Sequence, residues 1–170
     1  IQYPISVGPQ FNAVVDVLKM KMYRWKPEGG VPEVLDIPDT EINKAQDLHN
    51  ALVEAAAEHD EALMEKFFDQ GSLSEEEMRI GIRKGMLHRD MFPVFCVSAG
   101  KDMCVRRMME FVGNVSPSVN VTEKPQTKDG KEIAPDVNGP ASIYVFKTSV
   151  EPDIGEVSYF KVMSGKINEG

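Results

Sequence analysis

The sequence predicts an α+β fold, with short strands at both ends of the chain and amphipathic helices between them. Three observations predict it. Residues 1–25 and 141–163 alternate apolar and polar side chains in short stretches, the two-residue period of half-buried strands. Between residues 42 and 86 the apolar positions recur every three or four residues instead, as on a helix with one buried face. Residues 116–140 are rich in Pro, Gly, Asp and Lys; they fit neither period and mark a boundary.

The elements follow in order. Gly8-Pro9 is a turn, and Val14–Leu18 and Lys21–Trp25 read as strand or short-helix pieces. Pro27-Glu28-Gly29-Gly30 is a loop before a short strand around Val34 and Ile37. Ile42, Ala45, Leu48, Leu52, Ala56 and Leu63 then define a helix with Asp39 or Thr40 as its expected N-cap, running to about His59 and continuing or restarting to Phe68. Gly71 ends it. Ser74-Glu75-Glu76-Glu77 is a capping box for the next helix, whose face is Met78, Ile82 and Met86 and whose end is basic at Arg83, Lys84, His88 and Arg89. Gly81 and Gly85, four apart, are expected to pack closely against a neighbour. The apolar run 92–97 reads as a strand buried on both faces, and residues 105–112 as a helix. Strands at 141–148 and 155–163 flank a Glu151-Pro152-Asp153 turn.

Length and charge narrow the function. The 170 residues, 42% apolar and 27% charged, have the make-up of a globular protein that needs no disulfide or metal to fold. Cys96 and Cys104 are expected as reduced thiols, Cys96 packing as a small hydrophobe. No apolar run reaches the roughly 20 residues of a membrane span. The first residues, Ile1-Gln2-Tyr3-Pro4-Ile5, show neither an initiator Met nor a secretory signal, so a cytoplasmic location and a start within a strand are expected. A net charge of −8 opposes general DNA binding, which needs a basic surface. Residues 41–77 hold eleven acids against two bases, so the negative charge lies in the first helices. That face is either solvated or a partner-docking surface, with Glu54, Glu58, Glu61 and Glu65 as the candidate contacts.

Few motifs carry chemistry. Ser98-Ala99-Gly100-Lys101 lies between the predicted strand and helix, where open α/β sheets place ligands. Its S-A-x-K pattern is the kind that closes a guanine pocket through a backbone amide. Asn43-Lys44-Ala45-Gln46-Asp47 only mimics a base-reading N-K-x-D motif, because Gln46 stands at the acidic position and the segment is helical. His49, His59 and His88 show no metal-ligand spacing, so no metal site is expected. The phosphate-loop and nucleophile-elbow patterns are missing, and no catalytic residue is assigned.

Three longer stretches together resemble bacterial elongation factor G. They are Val14-Val15-Asp16-Val17-Leu18-Lys19-Met20-Lys21 with Trp25; residues 52–61, 63–68, 74–77 and 82–85; and Phe146-Lys147, Pro152, Gly155, residues 159–165 and Gly170. The resemblance spans essentially the whole chain and follows the family's order. It implies that residues 1–90 are the α+β subdomain inserted in a P-loop-type α/β GTPase domain. Residues 91–115 would be that domain's last strand, guanine loop and helix, residues 116–140 a linker, and residues 141–170 the first strands of a β-barrel domain. Ser98, Ala99, Gly100 and Lys101 would then contact guanine, with GTP or GDP as the cofactor of the longer protein. The acidic helices would dock the ribosomal stalk protein, and the barrel would meet small-subunit ribosomal RNA.

The resemblance implies translocation of tRNA and mRNA or ribosome recycling, with GTP hydrolysis carried out elsewhere in the longer protein. Departures from the family pattern are Gly100 for a bulky residue, Cys104 for Gly, and Ser116-Pro117-Ser118 for P-S-P; they suggest a divergent second copy. One backbone hydrogen bond contributes only about 0.5–1.5 kcal/mol net. Micromolar binding needs about 8 kcal/mol. This chain alone is therefore expected to hold no nucleotide and to be no enzyme. The rival expectation is a stand-alone interaction module that uses the same acidic face.

Overall fold

Four short strands begin the chain and pair with their sequence neighbours. In this computed structural model, which describes residues 1–169, β1 (Gln2–Pro4), β2 (Ala13–Asp16), β3 (Lys21–Arg24) and β4 (Glu33–Leu35) form an antiparallel sheet in that order. The register pairs Val15 with Tyr3 on one side and with Met22 on the other. Successive side chains on β2 point to opposite faces, and both faces are covered. Val15 packs with Val17, Met22 and the helical Ala45, whereas Val14 packs with Trp25, Met103 and Cys104.

Asp16 ends β2 and makes the turn into β3. Its Oδ1 accepts the amides of Leu18 (3.1 Å) and Lys19 (3.0 Å), a local pattern that aspartate forms more readily than a strand continuation. Its Oδ2 accepts from Arg107 Nε at 2.6 Å, and both side chains are buried.

Helices α1 (Asp39–Ala57), α2 (Glu61–Gln70) and α3 (Glu75–His88) follow, and α4 (Val105–Asn114) comes later. The N-cap of α1 is Pro38, not Asp39 or Thr40. Proline's fixed φ suits the entry, so Asp39 lies inside the first turn with Glu41. The helix restarts after residue 59 because Asp60 caps α2, its carboxylate accepting the Leu63 amide at 3.1 Å. Gly71 closes α2 at φ 67°, a conformation glycine adopts without strain. The Ser74/Glu77 capping box opens α3 in both directions. The core between the helices contains Val53, Ala56, Leu63, Leu73, Met78, Ile82, Phe111 and Val115.

Gly81 lets α1 and α3 approach until a Cβ on it would lie 2.1 Å from the Ala56 carbonyl oxygen. Gly85 does the same for His59, whose ring would stand 2.6 Å from such a Cβ.

Residues 92–97 do not form the expected buried strand. Phe92 and Val94 are 76% and 67% exposed; Phe95 reaches inward, edge-on to Phe111 with centroids 5.0 Å apart, and half-buried Cys96 packs against Val14, Trp25, Met103 and Cys104. An apolar run supplies side chains for burial but no partners for its own amides. No strand among the described residues runs beside it, so it stays irregular.

The chain divides into two compact units, Ile1–Pro117 and a second beginning at Ser118. Residues 1–90 and 91–115 thus lie in one unit. The second unit contains β5 (Ser142–Glu151) and β6 (Gly155–Ser164), an antiparallel hairpin with a bulge at Phe146. Its turn uses Asp153 at φ 69° and Gly155 at φ 88°. Before it, residues 118–140 make turns and one isolated bridge between Gln126 and Glu132. The Gly165 amide and the Ser164 hydroxyl both donate to the Asp136 carbonyl.

Candidate functional site

The loop at residues 98–101 is built on the outer face of the sheet. Met103 and Cys104 are buried beside Val14 and Trp25, and they anchor the segment that precedes α4. Ser98 and Met103 exchange backbone hydrogen bonds, each 3.0 Å long, and Ala99–Lys101 makes one turn of 3-10 helix between them. The turn spends the amides of Lys101 and Asp102 on the carbonyls of Ser98 and Ala99. The amides of Ala99 and Gly100 have no acceptor among the described residues, and both residues are exposed.

A second loop supports this one. Gly29 has φ 81°, and a Cβ there would fall 1.6 Å from the Lys101 carbonyl oxygen, so only glycine fits. Trp25 Nε1 holds that loop by donating to the Gly30 carbonyl at 3.0 Å.

Two sequence departures acquire physical content here. Gly100 has open space around it, so a larger residue would fit. Cys104 adopts φ 62° as the residue before α4, a conformation that glycine takes freely and a thiol-bearing residue does not. Its thiol donates to Gln2 Oε1 at 3.2 Å. Burial pushes that thiol up to about 11, so at neutral pH it is protonated and no nucleophile. Both cysteines are free. The loop can offer two amides and a lysine to a planar ligand. It assembles no acid–base or nucleophile pair.

The acidic helices behave differently from one another. On α3, Glu75 pairs with Arg79 at 2.6 Å and Glu77 with Lys66 at 2.5 Å, whereas the exposed Glu76 makes no ion pair among the described residues. Asp60 pairs with Lys84. Glu54, Glu58, Glu61 and Glu65 are all exposed and make no ion pair among the described residues. Glu58, Glu61 and Glu65 line one depression of about 360 Å³ together with Asp60, Met64 and Phe68. Phe68, 78% exposed, gives it an apolar contact surface. Glu54 stands apart, one turn before Glu58 on α1. Phe68 was legible as a helical position, but its exposure was not, because that depends on how α2 seats against α1.

The other flagged residues are structural or newly grouped. Lys44 lies on α1 with its Nζ 4.1 Å from the centroid of the Tyr3 ring. His49 Nδ1 donates to the Val17 carbonyl at 2.6 Å, a structural bond. His59 and His88, 29 positions apart, come together with Asp90 so that their ligand atoms lie within 4.8 Å of one another. The sequence signal for this was the Gly81/Gly85 pair, which seats α1 against α3.

The first unit is thus defined by a four-stranded antiparallel sheet with four helices, a mixed α+β arrangement. A crystal structure of a protein from Thermus thermophilus has the same fold, with TM-score 0.72 over 97% of this chain at 24% identity. The chain spans 23% of that protein's length. No protein-family model matches the chain. No helix among the described residues is long and apolar enough to cross a membrane.

Proposed function

We propose that this chain is the docking portion of a ribosome-associated translational GTPase of the elongation factor G type. Its longer protein would act in translocation of tRNA and mRNA or in ribosome recycling, in the cytoplasm, with this portion carrying no catalysis. The sequence resemblance supports the family, and the shared fold over 97% of the chain is compatible with it. Residues 98–101 would lend the Ala99 and Gly100 amides to guanine, with Ser98 shaping the loop and Lys101 flanking the base. GTP or GDP would be held chiefly by parts of the longer protein.

The observation that carries the docking reading is the set of unpaired carboxylates at Glu58, Glu61 and Glu65 around exposed Phe68. Acids already engaged with lysine or arginine offer a partner little. Unpaired ones steer a basic partner through solvent, and an apolar centre then supplies contact area. The stalk protein is the proposed partner, and the hairpin of the second unit would belong to a barrel facing ribosomal RNA.

A pull-down with the C-terminal domain of the stalk protein tests this. Binding is expected to weaken with salt and to be lost in a Glu58→Lys/Glu61→Lys/Glu65→Lys variant, with Glu54→Lys milder. Retained binding in that variant would sink the docking reading. Equal binding to unrelated basic peptides would favour the stand-alone interaction module.

A further inference from the structure

We propose that His59, His88 and Asp90 form a divalent transition-metal site, of the class that takes Zn²⁺, where the turn after α1 meets the end of α3. Each residue offers one ligand atom, and the three atoms lie within 4.8 Å of one another. A tetrahedral zinc with bonds of about 2.0–2.1 Å needs its ligand atoms roughly 3.4 Å apart. His88 and Asp90 are exposed, and rotation of their side chains supplies the remaining contraction.

The placement of the three residues is built into the backbone. His59 is held by packing on Gly85, where any side chain would collide with its ring. His88 is the last residue of α3, three positions beyond Gly85. Arg89 then adopts φ 65° and reverses the chain, and the Asp90 and Met91 amides both return to the Gly85 carbonyl, at 3.0 and 3.2 Å. That reversal carries Asp90 back over the glycine on which His59 rests. The two rings meet edge to face with centroids 6.2 Å apart.

Charge and chemistry agree with the geometry. None of the three side chains has a hydrogen bond or ion pair among the described residues. Of the nearby cations, Lys84 is engaged by Asp60 and Arg89 stands between His88 and Asp90 as the cap of α3. Two imidazoles and one carboxylate suit a borderline metal, with the remaining position left to water; Mg²⁺ and Ca²⁺ prefer all-oxygen sets. The site is independent of the docking reading, because none of its three residues lines the acidic depression.

Titration of the chain with Zn²⁺ against a chromophoric chelator tests it. One equivalent is expected to bind, with Mg²⁺ unable to displace it. His88→Ala and Asp90→Asn should each weaken binding by at least the roughly tenfold that even an outer-shell partner is worth. His59→Ala also removes packing on Gly85, so the two exposed positions decide the test, with circular dichroism confirming the fold. His49→Ala, whose ring is tied to the Val17 carbonyl, should bind zinc as the unaltered chain does. The absence of stoichiometric uptake, unchanged affinity in both exposed variants, or an equal loss in His49→Ala would each overturn the site.

Discussion

Val14 and Val15 in β2 are both 0% exposed, whereas Phe146 and Val150 in β5 are 60% and 81% exposed, although both strands are apolar and antiparallel. The difference is cover. β2 has a strand on each side, α1 over one face and the segment at Met103 and Cys104 over the other. The hairpin has one partner strand and two open faces among the described residues. Alternation therefore predicts that a segment is a strand, and says nothing about whether its faces find neighbours. A two-stranded hairpin is marginal alone. The strands of a barrel would give it cover in the proposed reading.

The largest expected effect tests whether stability resides in the first unit. Asp16→Ala removes the acceptor for two turn amides and leaves Arg107 charged and buried. Breaking a buried pair this way costs about 3–5 kcal/mol. Denaturant unfolding followed by Trp25, the single tryptophan and buried beside Val14, would read it directly. Phe146→Ser should shift the same midpoint by no more than the roughly 0.5 kcal/mol of a surface change. A comparable shift from the hairpin variant would break the comparison.

A smaller effect separates two glycines. Gly81→Ala gains about 1 kcal/mol of helix propensity but drives a methyl into the Ala56 carbonyl. Overpacking costs about 1–3 kcal/mol, and here the obstacle is backbone that cannot rotate away, so a net loss is expected. Gly100→Ala meets nothing within 4 Å and should be neutral or stabilising by about 0.4–1 kcal/mol. Thermal melts should therefore fall for Gly81→Ala and hold or rise for Gly100→Ala.

The helices were legible because their signals are local. Ser74 and Glu77 lie three residues apart and cap α3 wherever the rest of the chain goes, and Gly71 stops α2 by its own backbone freedom. The run 92–97 misled because burial of a strand depends on neighbours that no short window contains. The site was legible in part. Glu58, Glu61 and Glu65 could be named from charge, but their grouping around Phe68 depends on the turn at Asp60 that sets α2 against α1. His59, His88 and Asp90 could not be joined, because only the α1–α3 approach at Gly81 and Gly85 brings positions so far apart in sequence together.

The most localised expected effect lies at the α3 cap, where the box within the helix is joined by Lys66 of α2. The Lys66 ammonium, then the Ser74 amide and hydroxyl, draw the Glu77 carboxyl down from 4.5 to about 2. A carboxyl whose folded value is lowered binds its proton less readily in the folded chain. Its contribution is therefore present above about pH 4.5 and is lost as pH falls towards 2. Glu77 is half-buried at the very start of the helix, so the loss should appear as fraying of the first turn of α3, not as global unfolding. Amide exchange at Glu77 and Met78 should rise across that window, and Glu77→Gln should show the raised rate at every pH. Ser74→Ala, which removes one side of the box, should cost about 1 kcal/mol. A flat exchange profile in the unaltered chain would mean that α3 is held by Met78 and Ile82 in the core and owes nothing measurable to its cap.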